Sequence, residues 1–388
     1  MRIIADDPEL ERHLARLHDL IVSNGGFVHE ECVIVVQDGN LRIEAPRSVP
    51  EGIELIRVPE ALLLSVDDFG LYQDGDDIRI GTPSDSVTPV QAELMDSMIA
   101  IYNISGKIKD HRVNSPSRLY LAEPDIYRRL VMATQFKPRD ALKKEDFLLQ
   151  DFLHTRTFGL KSEDGQGDTS VLMPIIDFLN HHQGATGFQL GDKALSVVRR
   201  SPLAGSDECF VSYSRMDAQI AYFNYGFVDR SSTSLLSVPL TISLPGVVDL
   251  QVNRFPAAKR KQAPPAALKD IRRFVPRMSL DVDKKRGAVS SLPIPDAKSP
   301  RALRRILLAV LMNFMRDLSP GDVKAHLDEA EQQVIQANRS YYKGLIAYVS
   351  GLSLDDNLQP VLDDTTAMAE HQLRILEAYE LNLLQLGS

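Results

Sequence analysis

The chain has 388 residues, 44% of them apolar and 25% charged, and its net charge is −9 from 44 basic and 53 acidic side chains. At ~100–200 residues per domain this length fits two or three domains, and its two cysteines exclude a disulfide framework or an all-cysteine zinc site. The acidic balance excludes a global basic footprint for nucleic acid, and no apolar stretch reaches the ~20 residues of a membrane-spanning helix. The N-terminus lacks the apolar core of a signal peptide, so a cytoplasmic location is expected, with no membrane or nucleic-acid partner.

Asp7 and Pro8 open a helix whose Leu10, Leu14, Leu17 and Ile21 share one face until Gly25–Gly26 stop it. Short strands follow at Val33–Val36, 41–45 and Ile53–Val58. From Pro89 to about Phe147 the pattern is helical, with Leu94, Met98 and Ile101 on one stripe and Gly106 as a stop. Strand signals return at Val171–Ile176, Leu195–Arg199, Cys209–Tyr213 and Leu235–Leu244. This β, α, β order predicts a helical insertion within a β-rich domain. A connection rich in Pro and Lys follows, including Lys259-Arg260-Lys261, which reads as a solvated loop. Beyond Pro300, three helices are expected over roughly 301–317, 323–350 and 363–386.

The common catalytic signatures are missing. No phosphate loop is present, and Gly165-Gln-Gly167 reads as a flexible loop rather than a dinucleotide fingerprint. His181 and His182 are adjacent, a poor spacing for converging on one metal, so no metal is expected. Neither a Gly-x-Ser-x-Gly elbow nor a Cys–His nucleophile arrangement appears.

Two segments carry chemistry instead. The first is Val171-Leu-Met-Pro-Ile-Ile-Asp177-Phe-Leu-Asn180-His181-His182, an apolar run ending in Asp and then Asn-His. The second is Gly205-Ser-Asp-Glu208-Cys-Phe-Val-Ser-Tyr213-Ser, followed by Ala218-Gln-Ile-Ala-Tyr-Phe-Asn224-Tyr225-Gly226-Phe227. Together they resemble the SET-domain protein lysine methyltransferases, in the subgroup typified by the Rubisco large-subunit enzyme. Leu41 to Pro59 resembles that family's first β segment, and Phe152-Leu-His-Thr155-Arg156-Thr-Phe158 its hydroxyl-Arg segment. The sequence departs from the pattern where Gly-x-Gly-Leu falls on Asp38-Gly39-Asn40-Leu41, where Ser214 follows Tyr213, and where Asn-Ala-Glu-Leu becomes Ala218-Gln-Ile-Ala221.

The resemblance implies an α+β fold: a β-rich SET (β-clip) core, a helical insertion and an α-helical C-terminal domain. The corresponding boundaries are 1–83 and 151–250 for the two parts of the SET domain, 84–150 for the insertion and 251–388 for a substrate-docking domain. It implies S-adenosyl-L-methionine as cofactor and a protein bearing the target lysine as partner, a non-histone one because no cysteine-rich zinc modules can be built. Tyr225 and Tyr213 would be the catalytic pair, Tyr225 placing its hydroxyl beside the attacking nitrogen. Gly39, Leu41, Arg156, Asn180 and His181 would hold the cofactor, while Thr155, Phe158 and Asp177 would line the lysine side. Arg304, Arg305 and Lys324 are the charges expected on the docking surface. Two alternatives stay open: a SET-like binding module without activity, and a histidine-directed protein methyltransferase.

Overall fold

Asp7 caps the first helix as its position implies, accepting hydrogen bonds from the N–H groups of Glu9 (2.7 Å) and Leu10 (3.2 Å). That helix runs Pro8–Ser23 and buries Leu10, Leu14, Leu17 and Ile21. The computed structural model describes residues 1–37, 39–133, 147–161, 168–200, 206–214, 216–252, 268, 271, 275–295, 301–353 and 356–387. Asp38, the Gly165–Gly167 loop, Gly205 and the Lys259–Lys261 run lie outside the described residues. The α+β class read from the sequence holds. The chain divides into two units, Met1–Asn114 with Ala141–Arg215, and Ser115–Asp140 with Met216–Ser388.

The first unit is a set of small sheets around one apolar core. Val33–Gln37 pairs in parallel with Arg2–Ala5 and antiparallel with Asn40–Glu44. A four-stranded sheet runs Gln189–Gly191, Ala194–Val198, Glu54–Pro59, Phe27–Val28, and a third joins Leu64–Ser65, Asp168–Leu172 and Thr157–Lys161. Asn180–His181 pairs in parallel with Phe210–Val211. Helix Pro89–Ile104 begins with a capping box, in which Gln91 N–H donates to the Thr88 hydroxyl and Thr88 N–H to the Gln91 side chain. Helices Lys107–Asn114 and Phe147–Arg156 pack on each other.

One strand differs from its sequence reading in a way that shapes the site. The strand expected over Val171–Ile176 ends at Leu172. Pro174 cannot donate to a ladder, and Ile175 adopts φ +62°, a left-handed conformation that is rare for a β-branched residue and costs about 1–3 kcal/mol. The chain therefore turns into a short 3-10 segment, Ile176–Phe178, which carries Asp177.

The second unit has its own apolar core. Its long helices are Ala302–Leu311, Pro320–Ser350 and Gln359–Gly387, with Arg118–Ala122, Pro124–Ala133 and Ala218–Tyr225 beside them. The single strand expected over Leu235–Leu244 is two, Ser234–Leu236 and Leu240–Leu244, because Pro239 interrupts the ladder. Three strands within the expected connection, Met278–Asp281, Arg286–Val289 and Pro293–Pro295, complete a four-stranded and a two-stranded sheet.

Asp217 locks the start of helix Ala218–Tyr225. Its carboxylate accepts from Ile220 N–H (2.8 Å) and Leu236 N–H (2.9 Å) while only 2% exposed. Burial outweighs these bonds and pushes its pKa up to about 6. A carboxyl that holds its proton more tightly when folded stabilises fully below the unfolded value near 4 and loses that contribution as pH rises through 6. The stability of the wild type relative to Asp217→Asn should therefore fall by about 2–3 kcal/mol between pH 4 and pH 7. Urea denaturation of both proteins at the two pH values checks this; a constant difference would show that Asp217 does not titrate in that window.

Candidate functional site

All the sequence-derived site residues except Tyr225 fall in the first unit. Helix Phe147–Arg156 supplies Thr155 and Arg156, and the strand after it supplies Phe158. The strained turn at Ile175 delivers Asp177, and the chain re-enters a strand at Asn180–His181. Strand Asn40–Glu44 packs against the Asp177 turn, and a bridge between Glu44 and Glu208 brings Leu41's strand beside the segment that leads to Tyr213.

Asp177 is the polar centre. It is 7% exposed, accepts a hydrogen bond from the Tyr102 hydroxyl (2.9 Å), and its Oδ2 lies 3.7 Å from Arg156 Nη1. Burial drives its pKa up, and Arg156, Lys107 and Tyr102 oppose that rise. Burial works against the Arg156 cation, but Asp177, Tyr213 and Tyr102 more than offset it and its pKa rises. The guanidinium rests over the Phe152 ring at 5.6 Å. Its Nε is buried with no hydrogen-bond partner among the described residues. The single proton of the Thr155 hydroxyl is committed to the Phe152 carbonyl of its own helix (2.7 Å).

His181 and Tyr213 form the second focus. The Tyr213 N–H donates to His181 Nδ1 (3.1 Å), which puts the ring proton of a neutral His181 on Nε2. The Tyr213 hydroxyl donates to the Leu179 carbonyl (2.8 Å). Asn180 donates through Nδ2 to Glu208 Oε1 (2.8 Å), which leaves its carbonyl oxygen as the acceptor it can offer a ligand. Phe188 stacks on Tyr213 at 6.3 Å and meets Phe158 edge-on at 5.8 Å. Phe158, Phe188, Tyr213 and His181 are thus a continuous aromatic wall.

Gly39 turns the chain between strands Val33–Gln37 and Asn40–Glu44 with φ +75°. A Cβ there would stand 3.1 Å from the Ser105 carbonyl and 3.3 Å from Asp110, so the glycine is needed for both conformation and close approach. Leu41 is fully buried in the core, and what it can present to a ligand is its backbone.

Tyr225 ends helix Ala218–Tyr225, which Gly226 stops in the left-handed conformation, φ +75°. It is half-buried, and burial raises its pKa, so it is a neutral phenol at neutral pH. The thiols of Cys32 and Cys209 are buried and pushed up to about 12 and about 11, mainly by desolvation, and are not available as nucleophiles.

Sequence reading missed Tyr102, Lys107, Phe188 and Glu208. Tyr102 sits on the apolar stripe of its helix, where only a hydroxyl on a buried face marks it. Glu208 lies within a recognised motif but received no role. Lys107 and Phe188 carry no local signal.

No protein-family model matches the chain. Among curated proteins it is similar to the actin-histidine N-methyltransferase of Mus musculus, 28% identical over 109 residues, which is 26% of this chain and 18% of that protein. It is also similar to the actin-histidine N-methyltransferase of Rattus norvegicus, 24% identical over 170 residues, 42% of this chain and 28% of that protein. The match thus spans less than a third of either relative. Among solved structures it is similar to the SET domain of LSMT bound to lysine and AdoHcy, with 13% identity and a TM-score of 0.41 over 98% of this chain and 93% of that one. Rubisco LSMT bound to AdoMet gives 15% identity and a TM-score of 0.40 over 96% and 93%. The chain is therefore similar in sequence to two protein methyltransferases and in structure to proteins with a SET domain.

Proposed function

We propose that the chain is a SET-type protein methyltransferase that transfers a methyl group from S-adenosylmethionine to a lysine side chain of a protein. The observation that carries this reading is the convergence in one unit of residues far apart in sequence. The half-buried Arg156 and the buried Asp177 form a charged centre, and Asn180, His181 and Tyr213 a hydrogen-bonded polar edge along an aromatic wall. These groups suit a ligand with a carboxylate, an amine and a purine. The Arg156 Nε, which has no hydrogen-bond partner among the described residues, is a donor for a carboxylate, and an unmet buried donor is costly.

When bound, the cofactor supplies an electrophilic methyl group. The residues of the chain orient and desolvate. Asn180 and Arg156 hold the amino-acid end, the backbone at Gly39 and Leu41 approaches closely, and the aromatic wall excludes water from the amine so that its neutral form is favoured. The motif gives Tyr225 the hydroxyl that orients the attacking nitrogen. Both curated relatives act on histidine, which supports histidine as a second target class.

Thermal stabilisation tests the reading. S-adenosylmethionine or S-adenosylhomocysteine at one hundred times Kd should stabilise the fold by ~2.7 kcal/mol. Asn180→Ala should weaken binding by ~1–3 kcal/mol in calorimetry. No stabilisation of the wild type would favour a binding module instead, and unchanged affinity in the variant would leave Asn180 a strand residue paired to Glu208. Labelled methyl transfer into a lysate, with mass-spectrometric mapping of the product, decides between lysine and histidine.

A further inference from the structure

Tyr102 bears on Arg156 through both its hydroxyl and its ring. It lies fully buried on helix Pro89–Ile104, and its hydroxyl donates to Asp177 Oδ2 (2.9 Å). Arg156 Nη1 approaches that same oxygen only to 3.7 Å, an ion-pair distance beyond hydrogen-bond reach. One carboxylate oxygen thus faces two donors, and the neutral one holds the closer place. The ring acts separately. It meets the Phe152 ring edge-on at 5.3 Å, and the Arg156 guanidinium rests over that Phe152 ring at 5.6 Å. The Arg156 side chain is 20% exposed against 5% for that of Asp177, so the guanidinium is the charge of the pair that is open to a ligand.

A carboxylate and a guanidinium with no third donor between them close into short, forked hydrogen bonds. A guanidinium closed in that way has part of its fixed donor set committed inside the protein and offers less to an incoming anion. Resting on the methyl-donor reading above, we propose that Tyr102 is a positioning residue for donor binding. Its hydroxyl occupies Asp177 Oδ2 and so keeps the carboxylate from capturing Arg156, which stays available for the carboxylate of the donor. Its ring holds Phe152, the platform on which the guanidinium lies. Tyr102 therefore acts through Asp177 and Phe152, from a fully buried position.

Calorimetry with two ligands tests this. S-adenosylhomocysteine carries the carboxylate, and methylthioadenosine, which has neither carboxylate nor amine, is the control. Tyr102→Phe keeps the ring on Phe152 and removes only the hydroxyl. It should bind S-adenosylhomocysteine about tenfold more weakly, with methylthioadenosine affinity within about twofold of the wild type. A double-mutant cycle reads whether the effect runs through Asp177. Asp177→Asn removes the charge that would capture the guanidinium. Adding Tyr102→Phe to it should therefore weaken S-adenosylhomocysteine binding by less than about twofold. Wild-type affinity in Tyr102→Phe, equal loss of both ligands, or the same loss in both backgrounds would overturn the positioning role and leave the methyl-donor reading standing. Failure of the wild type to bind S-adenosylhomocysteine would overturn that reading and the positioning role with it.

Discussion

Tyr225→Phe should reduce methyl transfer by ~10²-fold or more while leaving the fold intact. Tyr225 is the last residue of helix Ala218–Tyr225, held between the Asp217 cap and the left-handed Gly226. These anchors fix the backbone at Tyr225, which the substitution does not touch. The phenol is half-buried and its pKa raised, so at neutral pH it is a hydrogen-bond donor rather than a phenolate. Removing the hydroxyl removes one preorganised dipole and no packing volume. Single-turnover methyl transfer, with circular dichroism as the control for folding, measures the effect. Wild-type turnover in the variant would move the orienting role to another hydroxyl, Tyr213 being the first to test.

Arg304→Glu should destabilise the second unit by about 3–5 kcal/mol. The sequence placed Arg304 with Arg305 and Lys324 on a docking surface, but the structure gives Arg304 a different task. Its guanidinium donates to Glu331 (2.6 Å) and Asp328 (2.5 Å), and Glu331 also accepts from the Tyr379 hydroxyl (2.5 Å). Three helices, Ala302–Leu311, Pro320–Ser350 and Gln359–Gly387, are thereby joined through one carboxylate whose side chain is 4% exposed. Reversing the Arg304 charge leaves that carboxylate facing another. Lys324 is exposed, and Lys324→Glu should change stability by no more than ~0.5 kcal/mol. Lys324 is therefore the charge with which to probe docking of a protein substrate. Denaturant unfolding of the two variants separates them, and an Arg304→Glu protein as stable as the wild type would mean that the three-helix network contributes nothing.

The parts of the site that were legible in the sequence are those written in short strings. Asn180–His181, Thr155–Arg156 and Tyr225–Gly226 each bring their neighbours along, and a fixed local spacing is enough to find them. The turn that presents Asp177 was half legible, since Pro174 forbids a continued strand but nothing local announces a left-handed Ile175. Tyr102 and Lys107 were hidden for a different reason. Tyr102 meets Asp177, which lies 75 positions further along the chain, and on its own helix it is one more apolar-face residue. A periodicity argument sees which face is buried and not what the buried face touches.

From the sequence alone came the class of the fold, the first helix with its Asp7 cap, the strands at Val33–Gln37, Asn40–Glu44, Glu54–Pro59 and Ala194–Val198, and the long helices after residue 300. Each of these depends on hydrophobic period, on capping residues and on glycine stops, which act within a few residues. Only the tertiary structure decided that Arg304 is an internal tie rather than a surface charge, and that the Thr155 hydroxyl bonds its own helix. It also decided that the Tyr102 hydroxyl donates to Asp177. The physical reason is common to all three. The role of a charged or hydroxyl side chain depends on its partners and on the water it loses, and both are fixed by segments that are distant in the chain.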